Sequence, residues 1–159
     1  MGLADNVTFA EGSADKMGFG NGEFDAAAML HVGMNIEGKA GMFAEVKRVL
    51  KPDGLFIIYD VMRMQEGELA WPLPWSSSPA TSFVVAPKDY REALVGAGFA
   101  VVEERDMMDV VRGSKAPPPS ILTSPAALAN MGAMLKSGVI APVLLVAKAV
   151  QKTGSGVSL

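Results

Sequence analysis

The sequence predicts an α/β fold, and three observations carry that prediction. Between Glu37 and Leu50 apolar residues recur at three- and four-residue steps, the period of a helix with one face to bury. Immediately after Lys51-Pro52-Asp53-Gly54 comes the run Leu-Phe-Ile-Ile-Tyr, with the lack of polar alternation found in strands covered on both faces. Helix-like and strand-like stretches then alternate again from Pro87 to the last apolar run, which is the order of a layered α/β domain.

In chain order, residues 7–11 (Val-Thr-Phe-Ala-Glu) are rich in β-formers and read as a short strand. A loop follows, with Gly12, Gly18, Gly20 and Gly22 spaced along it. Residues 24–32 are apolar after Asp25. The period alone fits helix or strand, but the glycine-rich loop before and Gly33 after limit the stretch to strand length, so it reads as a buried strand. In the helix over 37–50, Ala40, Phe43, Val46 and Leu50 share the apolar face. Asn35 and Glu37 suit its positive end, and Lys47, Arg48 and Lys51 its negative one. Pro52 cannot continue it, and Gly54 is expected to supply the positive backbone angle that reverses the chain. Strand, crossover helix and second strand make a βαβ unit with parallel strands.

Prolines and serines make 61–86 irregular. A helix starts at Pro87 and stops at Gly96 to Gly98, and a strand runs over 100–107. A proline-rich connection over 110–125 leads to a helix over 126–138 ended by Gly138, and residues 140–150 form the last strand. The tail 151–159 is flexible by composition.

Composition removes several function classes. The 159 residues suffice for one domain, assigned here to 1–150. Half the residues are apolar and 19% are charged, a folded composition. The net charge of −3 and the absence of a Lys/Arg run argue against a nucleic-acid partner. With no cysteine there is no disulfide, thiolate ligand or cysteine nucleophile, which fits a reducing cytoplasm. The single histidine, His31, excludes a histidine-based metal cluster. The opening residues lack the pattern of a signal peptide, and the apolar run at 139–150 is too short to span a bilayer and contains Pro142 and Lys148, so no membrane partner is expected. The eleven methionines read as fillers of core gaps.

Several motifs in one order carry a resemblance. Gly12-Ser13-Ala14, Phe24-Asp25, His31-Val32 and Arg48-Val49-Leu50-Lys51-Pro52-Asp53-Gly54, followed by Trp71-Pro72-Leu73-Pro74-Trp75, Gly96-Ala97-Gly98-Phe99 and the closing Ala141-Pro142-Val143-Leu144-Leu145, are similar to class I S-adenosylmethionine-dependent methyltransferases. The bacterial small-molecule subgroup is the nearest in pattern, over about residues 2 to 150. The resemblance implies the C-terminal portion of a Rossmann-like methyltransferase sheet, mostly parallel with an antiparallel final strand. It also implies S-adenosylmethionine as cofactor and a small molecule as methyl acceptor. The family's glycine-rich strand–loop–helix has no counterpart here. Gly18 to Gly22 has glycines, but it follows a loop and precedes a strand. The expectation is therefore an incomplete domain with weak cofactor affinity and weak or no activity alone. The alternative is a non-catalytic, methyltransferase-like domain that works by association.

Carried over residue by residue, the resemblance puts Ser13 and Ala14 against the adenine, with a hydroxyl where the family has a carboxylate. Met29 and Leu30 stand where the subgroup has a polar pair beside the cofactor, and Gly33 where it has a glutamine. His31 is the one side chain suited to moving protons near neutral pH, at a strand end, and is the catalytic candidate. Asp60 ends the next strand on the same side and is a candidate substrate contact. Trp71 and Trp75, with Phe83, either line an acceptor pocket or cover the core. Asp15, Asn35 and the helix charges read as solvated or capping.

In the family sheet the absent first strand lies between the strands at 7–11 and 24–31, so bare edges remain. The expectation is that a second copy pairs with that edge or that 1–11 folds in beside it. Sedimentation of the purified chain checks the homodimer: twice the chain mass is expected, and a clean monomer with the apolar edge open refutes it.

Overall fold

A computed structural model describes residues 6–113 and 124–151. The elements are β1 (Phe24–Leu30), α1 (Lys39–Val49), β2 (Leu50–Arg63), α2 (Pro87–Gly96), β3 (Phe99–Asp106), α3 (Met108–Gly113), α4 (Pro125–Ser137) and β4 (Ile140–Ala149). They form a sheet of order β1-β2-β4-β3. β1 and β2 run parallel across the α1 crossover, while β4 is antiparallel to both β2 and β3. Three strands thus share one direction and the last opposes them, as expected. The tail beyond Gln151 and most of the proline-rich connection lie outside the described residues.

One face of the sheet holds the core. Met42, Phe43 and Val46 of α1, with Tyr90 and Leu94 of α2, pack on Phe56, Ile58 and Met62 of β2 and Val143 and Leu145 of β4. Phe43 lies edge-on to Phe56 at 5.6 Å and 5.9 Å from Tyr90, a tilted aromatic chain that ties both helices to β2. A smaller cluster of Met34, Val61, Val84, Val139 and Ile140 sits beneath the irregular strap over 64–86, with α4 beside it.

The opposite face is largely uncovered. Register places Ala28, Ile57 and Val146 in one row across β1, β2 and β4, and Leu30, Tyr59 and Leu144 in the next. Leu30 is 60% exposed and Leu55 40%.

Three expectations change. Residues 7–11 are not a strand, and Val7 and Phe9 are 51% and 93% exposed. A strand exists only where a neighbour completes its ladder, and no described strand lies beside this segment. For the same reason 24–30 forms a strand but not a buried one: β1 pairs on one side only, and Met29 alone among its residues is buried. At the Lys-Pro-Asp-Gly turn the positive φ of 65° falls on Asp53, not Gly54. Gly54 is needed for space instead, because a Cβ there would lie 2.9 Å from the Lys51 carbonyl oxygen and 3.0 Å from that of Asp25. The short α3 was unforeseen. The start and stop of α2 stand as read, and α4 starts one residue earlier, at Pro125, and ends as read at Gly138, which is left-handed.

The glycine-rich loop is held by α1. The Arg48 guanidinium donates to the carbonyls of Phe19 (2.8 Å) and Met17 (3.1 Å), to Asn21 Oδ1 (2.8 Å) and to the Glu45 carboxylate. Glu45 in turn accepts the Met17 N–H at 2.7 Å. These helix charges, read from sequence as solvated or capping, are a clamp. Arg48 first, then the Met17 amide, hold the Glu45 carboxyl at about 2 against the opposing effect of burial. A carboxyl depressed on folding stabilises above its unfolded value, near 4.5, and loses that contribution as pH falls toward 2. The stability gap between the wild type and Glu45→Gln is therefore expected to be widest above pH 4.5 and to close toward pH 2, as thermal melts across that range would read.

Candidate functional site

The candidate site lies at the C-terminal ends of β1 and β2, the end at which open α/β sheets take ligands. His31 follows β1 directly. Its N–H donates to the Tyr59 carbonyl at 2.8 Å, one step past the ladder, and its exposed ring meets Tyr59 edge-on at 4.9 Å. Its φ is 55°, in the left-handed region that costs a non-glycine residue about 1–2 kcal/mol. Strain of that kind concentrates at functional sites. The chain then makes a short 3-10 turn over Gly33–Asn35.

Asp60 is not a surface contact. Its exposure is 0%, and both oxygens are engaged: Oδ2 accepts the Tyr90 O–H at 2.7 Å and the Met34 N–H at 3.1 Å, and Oδ1 accepts the Val61 N–H at 2.9 Å. The expected substrate contact is therefore corrected to a buried anchor between β2, α2 and the turn after His31. Burial pushes the Asp60 carboxyl up; the Tyr90 hydroxyl and the Val61 amide pull against it, helped by His31 and Lys39. Burial, then the neighbouring carboxylate, pushes the Tyr90 phenol far up, so it stays a donor.

Gly33 makes this anchor possible. A Cβ at that position would stand 2.5 Å from both Asp60 Oδ2 and Tyr90 Oη. Lys39 adds a fourth element: its buried ammonium donates to the carbonyls of Ile36 (3.0 Å) and Phe83 (2.8 Å) and lies 5.3 Å from the centre of the Tyr90 ring. Burial lowers its pKa, while Asp60 and Asp89 oppose that shift.

The remaining candidates separate. Ser13 and Ala14 line a cavity of about 640 Å³ formed by residues 8–14 and 17–19, and the Ser13 hydroxyl donates to the Asp15 carboxylate. Met29 is turned into the core and Leu30 stands on the uncovered sheet face, so neither lines that cavity. The expectation of a cofactor contact from Met29 is withdrawn on burial. Trp71 borders a second cavity of about 550 Å³ with Arg63, Leu69, Ser82 and Val84. Trp75 covers the smaller core cluster, its indole N–H donating to Ser82 Oγ at 3.0 Å. Trp75 also borders a smaller cavity with Leu73, Ser77 and Ala127, so each tryptophan lies beside a cavity and Trp75 covers the core as well. Phe83, through its N–H to the Met34 carbonyl at 2.8 Å, ties the strap to the His31 turn.

Sequence reasoning missed Tyr90, Lys39 and the role of Gly33. The signal available was Asp60 itself, since an acid closing an apolar run needs buried donors. The sequence does not say which donors. Among the described residues no group of histidine and acidic side chains could hold a metal ion, and no helix is long and apolar enough to cross a membrane.

Residues 2–58 match the family model of a methyltransferase domain. The sterol 24-C-methyltransferase of Eremothecium gossypii is 26% identical over 117 residues, covering 69% of this chain and 31% of that protein. The chain spans less than a third of the length of the curated relatives it matches. Geranyl diphosphate C-methyltransferase from Streptomyces coelicolor A3(2), solved with Mg2+, geranyl diphosphate and S-adenosyl-L-homocysteine, superposes with a TM-score of 0.70 at 17% identity. That match covers 93% of this chain and 54% of the other. The [4+2]-cyclase SpnF superposes at 0.66 with 18% identity, covering 93% and 57%. The fold is thus the Rossmann-like sheet shared by these proteins.

The strained backbone at His31 is testable. His31→Gly relieves the left-handed strain but loses the ring contact with Tyr59, so stability should stay within about 1 kcal/mol of the wild type. His31→Val, β-branched in the same conformation, should lose about 1–2 kcal/mol in urea denaturation; equal stability of the two variants would remove the strain from the account.

Proposed function

We propose that this chain is a methyltransferase-like unit built to use S-adenosylmethionine on a small molecule, with weak affinity for the cofactor when alone. One observation carries the reading. The stretch that matches the methyltransferase domain, 2–58, contains β1, the His31 turn, α1 and β2 as far as Ile58, and with them the loop that carries Ser13. In this reading the cavity around Ser13 and Ala14 takes the adenine end of the cofactor. There Ser13, backed by the Asp15 carboxylate, offers an acceptor for an amino group. No strand–glycine-loop–helix exists among the described residues to hold the remainder, hence the weak affinity. The bound cofactor would supply an activated methyl group. His31 would orient the acceptor and take its proton, and the Trp71 cavity would receive the acceptor's apolar body.

A second reading, a non-catalytic domain that works through association, draws on the uncovered rows of β1, β2 and β4 and on the unpaired edge of β1. Calorimetric titration with S-adenosyl-L-homocysteine separates the two. Binding in the millimolar range, about −4 kcal/mol, is expected, and Ser13→Asp should tighten it about tenfold by placing a charged acceptor in the cavity. No heat at saturating ligand would favour association alone, and nanomolar binding by a single copy would overturn the weak-affinity part.

A further inference from the structure

We propose that Tyr90, carried on α2, is a positioning residue for His31: through Asp60 and Met34 it sets the turn that holds the imidazole, and it sets the strap at Phe83 along with it. The path is continuous. The Tyr90 hydroxyl donates to Asp60 Oδ2, and the same oxygen accepts the Met34 N–H. Met34 sits three residues after His31 in a turn closed by the Asn35 N–H on the Val32 carbonyl and the Ile36 N–H on the Gly33 carbonyl. The Met34 carbonyl then accepts the Phe83 N–H, and the Phe83 carbonyl accepts the Lys39 ammonium, which lies against the Tyr90 ring. The circuit returns to the residue from which it starts.

Three features make this a positioning device rather than general packing. His31 itself has a left-handed backbone, a conformation that persists only where its surroundings dictate it. Its own ring is exposed, touches Tyr59 edge-on and makes no side-chain hydrogen bond to the circuit, so the circuit reaches it through the backbone. Gly33 leaves no spare volume, so the turn and the Tyr90–Asp60 pair cannot shift independently. The inference rests on the methyltransferase reading only for what His31 does, not for how it is held. It also gives α2, which contributes no residue to either cavity described above, a route to the site.

The test uses the unliganded chain, so its outcome is independent of cofactor binding. His31 is the only histidine, so its imidazole Cε1–H cross-peak is assignable without overlap from another histidine. Tyr90→Phe removes the donor and keeps the ring. The expected result is a displaced His31 cross-peak and a rise of about tenfold or more in hydrogen exchange at the Met34 amide, with a smaller rise at Leu145 in β4. Gly33→Ala presses on the same pair from the other side and should displace the same cross-peak. An unmoved His31 cross-peak in either folded variant, or equal rises at Met34 and Leu145, overturns the proposal. Should both variants fail to fold, the wild type decides. A Tyr90 hydroxyl proton protected from solvent and in dipolar contact with the Met34 amide supports it, and a freely exchanging hydroxyl overturns it.

Discussion

A carboxylate with no access to water, inside a central strand that runs three residues further to Arg63, is the constraint around which the rest is arranged. Moving Asp60 into the interior costs several kcal/mol unless its oxygens are fully bonded. Three donors from three places meet that demand: a phenol on α2, the amide of the turn after β1, and the amide next to Asp60 itself. None is replaceable by a surface rearrangement. The aromatic chain from Phe43 to Tyr90 fixes the phenol, and the glycine at 33 brings the turn close enough. In this way a polar requirement at one atom specifies how two helices, a strand and a turn sit together.

The same arrangement separates two kinds of residue at the site. Asp60, Tyr90, Gly33 and Lys39 are buried or sterically closed. His31, Ser13 and Asp15 are exposed, and Trp71 borders a cavity; these are the groups free to meet another molecule. A strained residue held by a buried network follows a general pattern in which precision comes from rigid support and chemistry from what that support leaves uncovered.

Much of the fold was legible because it rests on local rules. The period of Phe43 and Val46, the proline at the start of α2 and the glycine ending α4 act within a few residues, and each element appears where those signals put it. What failed depends on distant partners. Residues 7–11 have strand composition but no neighbour to complete a ladder, and β1 has the apolar run of a central strand while sitting at an edge. At the Lys-Pro-Asp-Gly turn the need for glycine was foreseen and its reason was not: crowding by two carbonyls, one of them 29 positions earlier in the chain at Asp25, is invisible to a sequence window. The site shows the same division. His31 at a strand end could be read directly, whereas two of the three partners of Asp60 lie 26 and 30 residues away.

The missing side chain at position 33 has an evolutionary consequence. Since an added methyl would collide at once with the acid at 60 and the phenol at 90, position 33 cannot gain a side chain while both stay in place. A homologue with a bulkier residue in the first place must have surrendered the hydroxyl in the second, or withdrawn the acid between them. The three positions should thus covary as one unit across descendants, tracing a history of exchange that the surrounding apolar residues, each tolerant of its neighbours' small changes, would not record.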